Sequence, residues 1–122
     1  MMGAMFQINK NSQIYTRFLN LASALRQLPG FPQLDPVEER MLNALAAVWQ
    51  TGAQVTVMAA LNTVSEISPA TAHRRLKALR KSGMVMFQQD EVDGRVKYVL
   101  PTDTTQSYFG QLGDCLNKAK AG

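Results

Sequence analysis

The side chains best equipped for chemistry are concentrated between positions 68 and 83, where Arg74, Arg75, Lys77, Arg80 and Lys81 stand with His73 and without a single Asp or Glu. Cations at that density suit the holding of anions, phosphates above all, because arginine presents a planar fork of donors and lysine a compact point charge. Nucleophilic and metal chemistry are poorly supplied. The chain has one His and one Cys, too few for the three or four protein ligands of a zinc site, and it contains no glycine-rich phosphate loop or nucleophile motif. No metal site, no cofactor and no enzymatic activity are expected. The lone Cys115 excludes an intramolecular disulfide and fits a reducing, cytoplasmic setting; placed in an apolar stripe, it reads as a buried small residue.

Those cations need a scaffold. The 122 residues suit one domain, 1–122, and 46% hydrophobic against 18% charged residues suffices for a core. The formal charge of +4 is modest, so its local concentration matters more than its total. No stretch approaches the roughly 18 apolar residues that cross a bilayer, and residues 1–6 are too short and uncharged for a secretory signal, so neither membrane association nor export is expected.

Along the chain, Ile14, Phe18, Leu21, Leu25 and Leu28 recur at helical spacing, widened by Tyr15, Leu19 and Ala22, and predict a helix over 12–28 that Pro29-Gly30 ends. Asp35-Pro36-Val37-Glu38 reads as a capping box opening a second helix, with Val37, Met41, Leu42, Leu45, Val48 and Trp49 facing the core and Gly52 as its stop. Thr56 caps a short third helix reaching Val64. Ser68-Pro69 opens a fourth over 68–82, stopped by Gly83 in a left-handed conformation. A strand begins at Met84, Asp93-Gly94 is a strong signal for a tight hairpin turn, and 95–100 form the return strand, closed by Pro101. Thr102 or Asp103 then caps a last helix bearing Tyr108, Phe109, Leu112, Cys115, Leu116 and Ala119. Met41, Met58, Met84 and Met86 are expected as core filler, and Trp49 as core.

In the fourth helix Ala72, Leu76 and Leu79 share one face, which leaves the basic residues on the others. Two short helices in a tight connection, the second basic and followed at once by a hairpin, predict a mainly α fold with a small β-hairpin, a winged helix-turn-helix. A B-form major groove admits one helix, whose N-terminal amides hold phosphate while its outward side chains reach base edges.

The run from Ser68 through Ala70, Thr71, His73 and Arg74 to Gly83-Met84-Val85, with Asp93-Gly94-Arg95 and then Leu100-Pro101-Thr102, resembles the multiple antibiotic resistance regulator (MarR) family. The likeness covers residues 35–102 and is weaker in the flanking helices. It implies a helix reading the major groove through Ser68, Thr71, His73 and Arg74, and a wing arginine, Arg95, entering the minor groove. His73 stands where that family commonly has a small hydroxyl residue and Val92 where a wing arginine is common, and one C-terminal helix is expected where two are usual. The residues expected at double-stranded DNA are Ser68, Ala70, Thr71, His73, Arg74, Arg75, Lys77, Arg95 and Lys97.

The apolar faces of the first and last helices exceed what a central winged-helix core of 35–101 can cover. Residues 1–30 and 102–122 are therefore expected to form dimerisation helices, with Ile14, Phe18, Leu21, Leu25, Tyr108, Leu112, Cys115 and Leu116 at a two-fold interface. The functional expectation is a cytoplasmic, nucleoid-associated bacterial transcriptional regulator, a repressor by steric occlusion, with room between helices one, two and five for a small-molecule effector of unspecified chemistry. The alternative is a winged-helix module that uses the same basic face to bind an acidic protein.

Overall fold

A computed structural model of the chain describes residues 8–122. Residues 1–7, and with them the reading of 1–6 against a secretory signal, lie outside it. Among the described residues five helices and two strands follow in the order α1 (Lys10–Arg26), α2 (Pro36–Trp49), α3 (Val57–Leu61), α4 (Pro69–Lys81), β1 (Val85–Gln89), β2 (Lys97–Pro101) and α5 (Asp103–Ala121). They divide into two compact units, one of Leu34–Ser107 and one of the described residues up to Gln33 with Tyr108–Gly122.

In the larger unit the helix starts are set by short, local hydrogen bonds. The Asp35 carboxylate accepts from the Glu38 amide at 2.7 Å while Glu38 Oε1 accepts from the Asp35 amide at 2.8 Å, completing the capping box of α2. Thr56 and Ser68 accept from the amides of Ala59 and Thr71 at 3.1 Å each, opening α3 and α4. Gly83, at φ 82°, reverses the chain after α4 and lets the Met84 amide reach the Leu79 carbonyl at 2.9 Å, a conformation an L side chain would strain. Met41, Leu42 and Leu45 of α2 meet Ala72, Leu76 and Leu79 of α4 in a core that Met84, Val85 and Val99 of the hairpin extend, each large side chain contributing about 1.5–3 kcal/mol by burial.

The hairpin pairs antiparallel from Val85 with Pro101 to Gln89 with Lys97. Val55 and Thr56 add a short third edge, the Val99 amide donating to the Val55 carbonyl at 2.7 Å. Half-buried Trp49 donates its indole N–H to the Val99 carbonyl at 3.0 Å and so ties α2 to β2. At the start of α5 the Thr102 hydroxyl donates to the Gly83 carbonyl at 2.5 Å, and the fully buried Thr105 hydroxyl donates to the Met84 carbonyl.

In the smaller unit the Asn9 side chain caps α1 by accepting from the Ser12 amide at 2.8 Å, which starts the helix two residues before the expected Ser12, and the helix ends at Arg26 instead of Leu28, because the amides of Gln27 and Leu28 turn back to the carbonyls of Ala24 and Leu25. Phe31 stacks on Tyr108 with ring centroids 5.3 Å apart, and Arg17 Nε donates to the Ala119 carbonyl at 3.0 Å. Ala22, Phe31, Tyr108, Cys115 and Ala119 are buried, while Ile8, Tyr15, Leu19, Leu28 and Leu116 stay exposed.

Three further expectations are corrected. The third helix ends at Leu61 instead of Val64, because the amides of Asn62 and Thr63 turn back to the carbonyls of Ala59 and Ala60. Asp93-Gly94 does not form a two-residue turn, and the return strand begins at Lys97 instead of Arg95. The connection widens because the Asp90 carboxylate captures the amides of Val92 and Asp93 at 3.0 and 2.8 Å, and Asp93 captures that of Arg95 at 3.0 Å, side-chain bonds that compete with a tight turn. Met58 and Met86 are exposed rather than core, since a five-residue helix and an alternating strand each bury one face only.

Candidate nucleic-acid interface

The face of α4 opposite its buried stripe carries Ala70, His73, Arg74, Lys77 and Lys81, all exposed. Its first turn holds a chain of hydrogen bonds: Ser68 Oγ donates to Thr71 Oγ1 at 3.0 Å, and Arg74 donates to the same oxygen at 3.2 Å. Three of the sequence-expected residues are thus pre-assembled at one helix end, with no acidic residue in that turn. Such an end attracts anions through its dipole and its amides. His73 borders a groove of about 500 Å³ between α3 and α4, whose other walls include Met58, Asn62, Val64 and Ile67.

The five cations of α4 do not share one environment. Arg75 turns inward, its guanidinium 2.8 Å from the carboxylate of Asp35, with 40% of the side chain exposed. Arg80 lies 4.6 Å over the ring of Phe87 on β1, a cation–π contact. Arg74, Lys77 and Lys81 face outward.

The wing carries further cations. The Arg95 side chain is 91% exposed and paired in a fork to Asp93 of its own loop, at 3.1 and 3.3 Å; Lys97 is exposed at the start of β2 and Val92 marks the tip. The Asp90 carboxyl is held below its ordinary pKa first by the Asp93 amide, then by the Tyr98 hydroxyl 2.9 Å away and the Val92 amide. The Tyr98 hydroxyl is correspondingly raised, chiefly by that bond to Asp90, and Asp93 is lowered by the side chain and then the amide of Arg95. These bonds order the loop that carries Arg95.

Of the residues expected at a two-fold interface, Tyr108 and Cys115 are buried within the chain, Ile14, Phe18, Leu21, Leu25 and Leu112 are half-buried, and Leu116 is 49% exposed. Tyr15 and Leu19, which broadened the predicted stripe, are more open than its centre, at 60% and 43%.

Two features escaped the sequence reading. Arg75 lies three residues after Ala72 and four before Leu79, spacing that puts it on the edge of the buried stripe; its residue type masked that signal. The capture of the wing amides by Asp90 had no local signature, since an Asp three residues before Asp93-Gly94 is unremarkable among loop residues.

No family model matches the sequence, and no curated protein matches it. Solved structures do match its fold. A MarR-like transcriptional regulator from Thermotoga maritima aligns over 95% of this chain and 81% of its own, with 18% identity and a TM-score of 0.58. The heme sensor protein PefR from Streptococcus agalactiae, in complex with heme, aligns over 88% and 69%, with 18% identity and a TM-score of 0.58. A MarR mutant from E. coli complexed with operator DNA aligns over 92% and 71%, with 15% identity and a TM-score of 0.56. From helix order, hairpin and these alignments together, the chain has the winged-helix fold of MarR-like transcriptional regulators.

Proposed function

We propose that this protein is a transcriptional regulator that binds double-stranded DNA as a homodimer, α4 reading the major groove and the wing around Arg95 the minor groove. One observation carries the reading: the exposed cationic face of α4, with its Ser68–Thr71–Arg74 chain, lies in the same compact unit as a hairpin bearing exposed Arg95 and Lys97. A helix of this kind suits the major groove, and a basic hairpin beside it suits the adjoining backbone and minor groove.

Ser68, Ala70, Thr71, His73, Arg74 and Lys77 are the proposed helix contacts, with Arg95 and Lys97 those of the wing. The apolar surface left on α1 and α5 supports pairing with a second copy, and the winged-helix unit then represses by occluding a promoter. The solved MarR mutant with operator DNA supports the docking by likeness of fold. A two-fold pair presents its helices about one duplex turn apart, so the expected site is near-palindromic. Selection of bound duplexes from a random pool tests this directly. Enrichment of a near-palindrome is expected, and failure to bind any duplex at about 50 mM salt overturns the reading.

A further inference from the structure

We infer that Asp35 and Arg75 are a positioning pair: they fix which face α4 turns outward, so that base discrimination depends on two residues that do not touch the DNA. The inference rests on the reading of α4 as the groove-reading helix, and it assigns Arg75 a different part from its basic neighbours.

The stripe that seats α4 is narrow, consisting of Ala72, Leu76 and Leu79 as its fully buried apolar side chains. Hydrophobic contact has no direction, so such a stripe resists lifting of the helix better than rolling about its axis. Side-chain ends lie roughly 5–6 Å from a helix axis, and a roll of about 20° moves them by about 2 Å, more than a hydrogen bond to a base edge tolerates. A directional contact at the edge of the stripe is what opposes such a roll. Arg75 supplies it, reaching Asp35 at 2.8 Å.

The acceptor is itself held fast. Asp35 caps α2 through the Glu38 amide, and its own amide is held by the Glu38 carboxylate, so Arg75 is moored to a helix terminus. The Nε of Arg75 is buried and has no hydrogen-bond partner among the described residues, an unfavourable placement for a donor that would be relieved if the side chain swung outward. A second tie, Arg40 of α2 to Glu66 at 2.9 Å, holds the connection before α4, but it lies off that helix and does not set its roll.

The test compares wild type with Arg75→Met, Asp35→Asn, the double variant and Arg75→Lys, measuring affinity for the selected duplex and for a scrambled one across a salt series. Met keeps the bulk of the side chain, and Asn remains a good helix cap. Each single variant is expected to lose about tenfold in the ratio of selected to scrambled affinity, the scale of a broken charged hydrogen bond. The double variant is expected to lose no more than the worse single one, since both break one interaction. Scrambled-duplex affinity and salt slope should stay at the wild-type value for Arg75→Met, and Arg75→Lys should recover part of the ratio.

A purely structural loss lowers both affinities in parallel and refutes the inference. So does a salt slope reduced by about two in Arg75→Met, which marks Arg75 as a phosphate contact on each protomer. A gain of affinity for both duplexes in Asp35→Asn, with a steeper slope, means that the freed arginine joins the backbone contacts, and it refutes the inference equally. If wild type itself binds no duplex, or binds all alike, the functional reading fails first, and that outcome is visible before any variant is made.

Discussion

If α4 and the wing dock as proposed, their charge geometry fixes how steeply duplex binding depends on salt. Arg74 and Lys77 face outward on α4, and Arg95 and Lys97 are exposed on the wing; Arg75 and Arg80 are engaged within the chain by Asp35 and Phe87. The four cations among the proposed contacts, Arg74, Lys77, Arg95 and Lys97, make about eight per dimer, and each neutralised phosphate adds about −0.9 to the slope of log affinity against log salt. The expected slope is therefore about −7, a loss on the order of ten-thousandfold between about 50 and 200 mM salt. Lys77→Ala removes one cation from each protomer and should bring the slope to about −5.5. Fluorescence anisotropy of a labelled duplex over a salt series measures both slopes. Because Lys77 is exposed, its thermal midpoint should not move, and Lys120→Ala, an exposed cation near the end of α5, serves as a control with the wild-type slope. An unchanged slope in Lys77→Ala, or an equal reduction in Lys120→Ala, would show that net charge and not the face of α4 governs binding, and would refute the docking.

Thr105→Val removes the hydroxyl that donates to the Met84 carbonyl while keeping shape, so chemical denaturation should show a loss of about 1–3 kcal/mol; Thr105→Ser keeps the bond and should lose about 1 kcal/mol for the missing methyl. The carboxyl carbon shift of Asp90 should titrate with its midpoint below 3.8, and Tyr98→Phe should move that midpoint upward by removing a donor to the charged form. The corresponding contribution to wing order is complete above 3.8 and disappears as pH falls through the lower folded-state value; a midpoint indifferent to Tyr98→Phe contradicts the latch. Leu19→Glu with Leu116→Glu places charge on the exposed apolar surface of α1 and α5 and should shift sedimentation from dimer to monomer, whereas a persistent dimer moves the interface elsewhere.

The helix boundaries were legible where three or four neighbouring residues settle them by themselves. Asp35 with Glu38, Ser68 with Thr71 and Gly83 behind α4 each satisfy backbone groups within one turn, so reading them requires no knowledge of the rest of the chain. The wing connection was not legible, because Asp93-Gly94 announces a tight turn only if nothing else bids for the same amides. Asp90 does, and its carboxylate is placed by Tyr98 from the opposite strand, a pairing that exists only after the hairpin has closed. Met58 and Met86 failed for a related reason: apolar type predicts burial, but α3 is too short and β1 too exposed on one side to bury every such residue. At the candidate site, the outward residues followed from helical period, whereas Arg75 was grouped with its neighbours by charge although its spacing assigned it to the inner edge.

That misgrouping exposes a regularity in the basic helix. Arginine occurs at 74, 75 and 80, and at each of these positions the guanidinium meets a shaped partner: the Thr71 hydroxyl, the Asp35 carboxylate and the Phe87 ring. Lysine occurs at 77 and 81, where the side chain is exposed and faces outward. A planar fork holds a fixed geometry, while an ammonium on a flexible stem delivers charge without one. The division implies that charge-conserving exchanges are unequal along the helix: Arg to Lys at 75 or 80 disturbs the frame that holds α4, and Lys to Arg at 77 or 81 leaves it intact. The sum of positive charge between Ser68 and Gly83 therefore overstates the cationic footprint that the proposed docking offers a duplex, because Arg75 and Arg80 are held by Asp35 and Phe87.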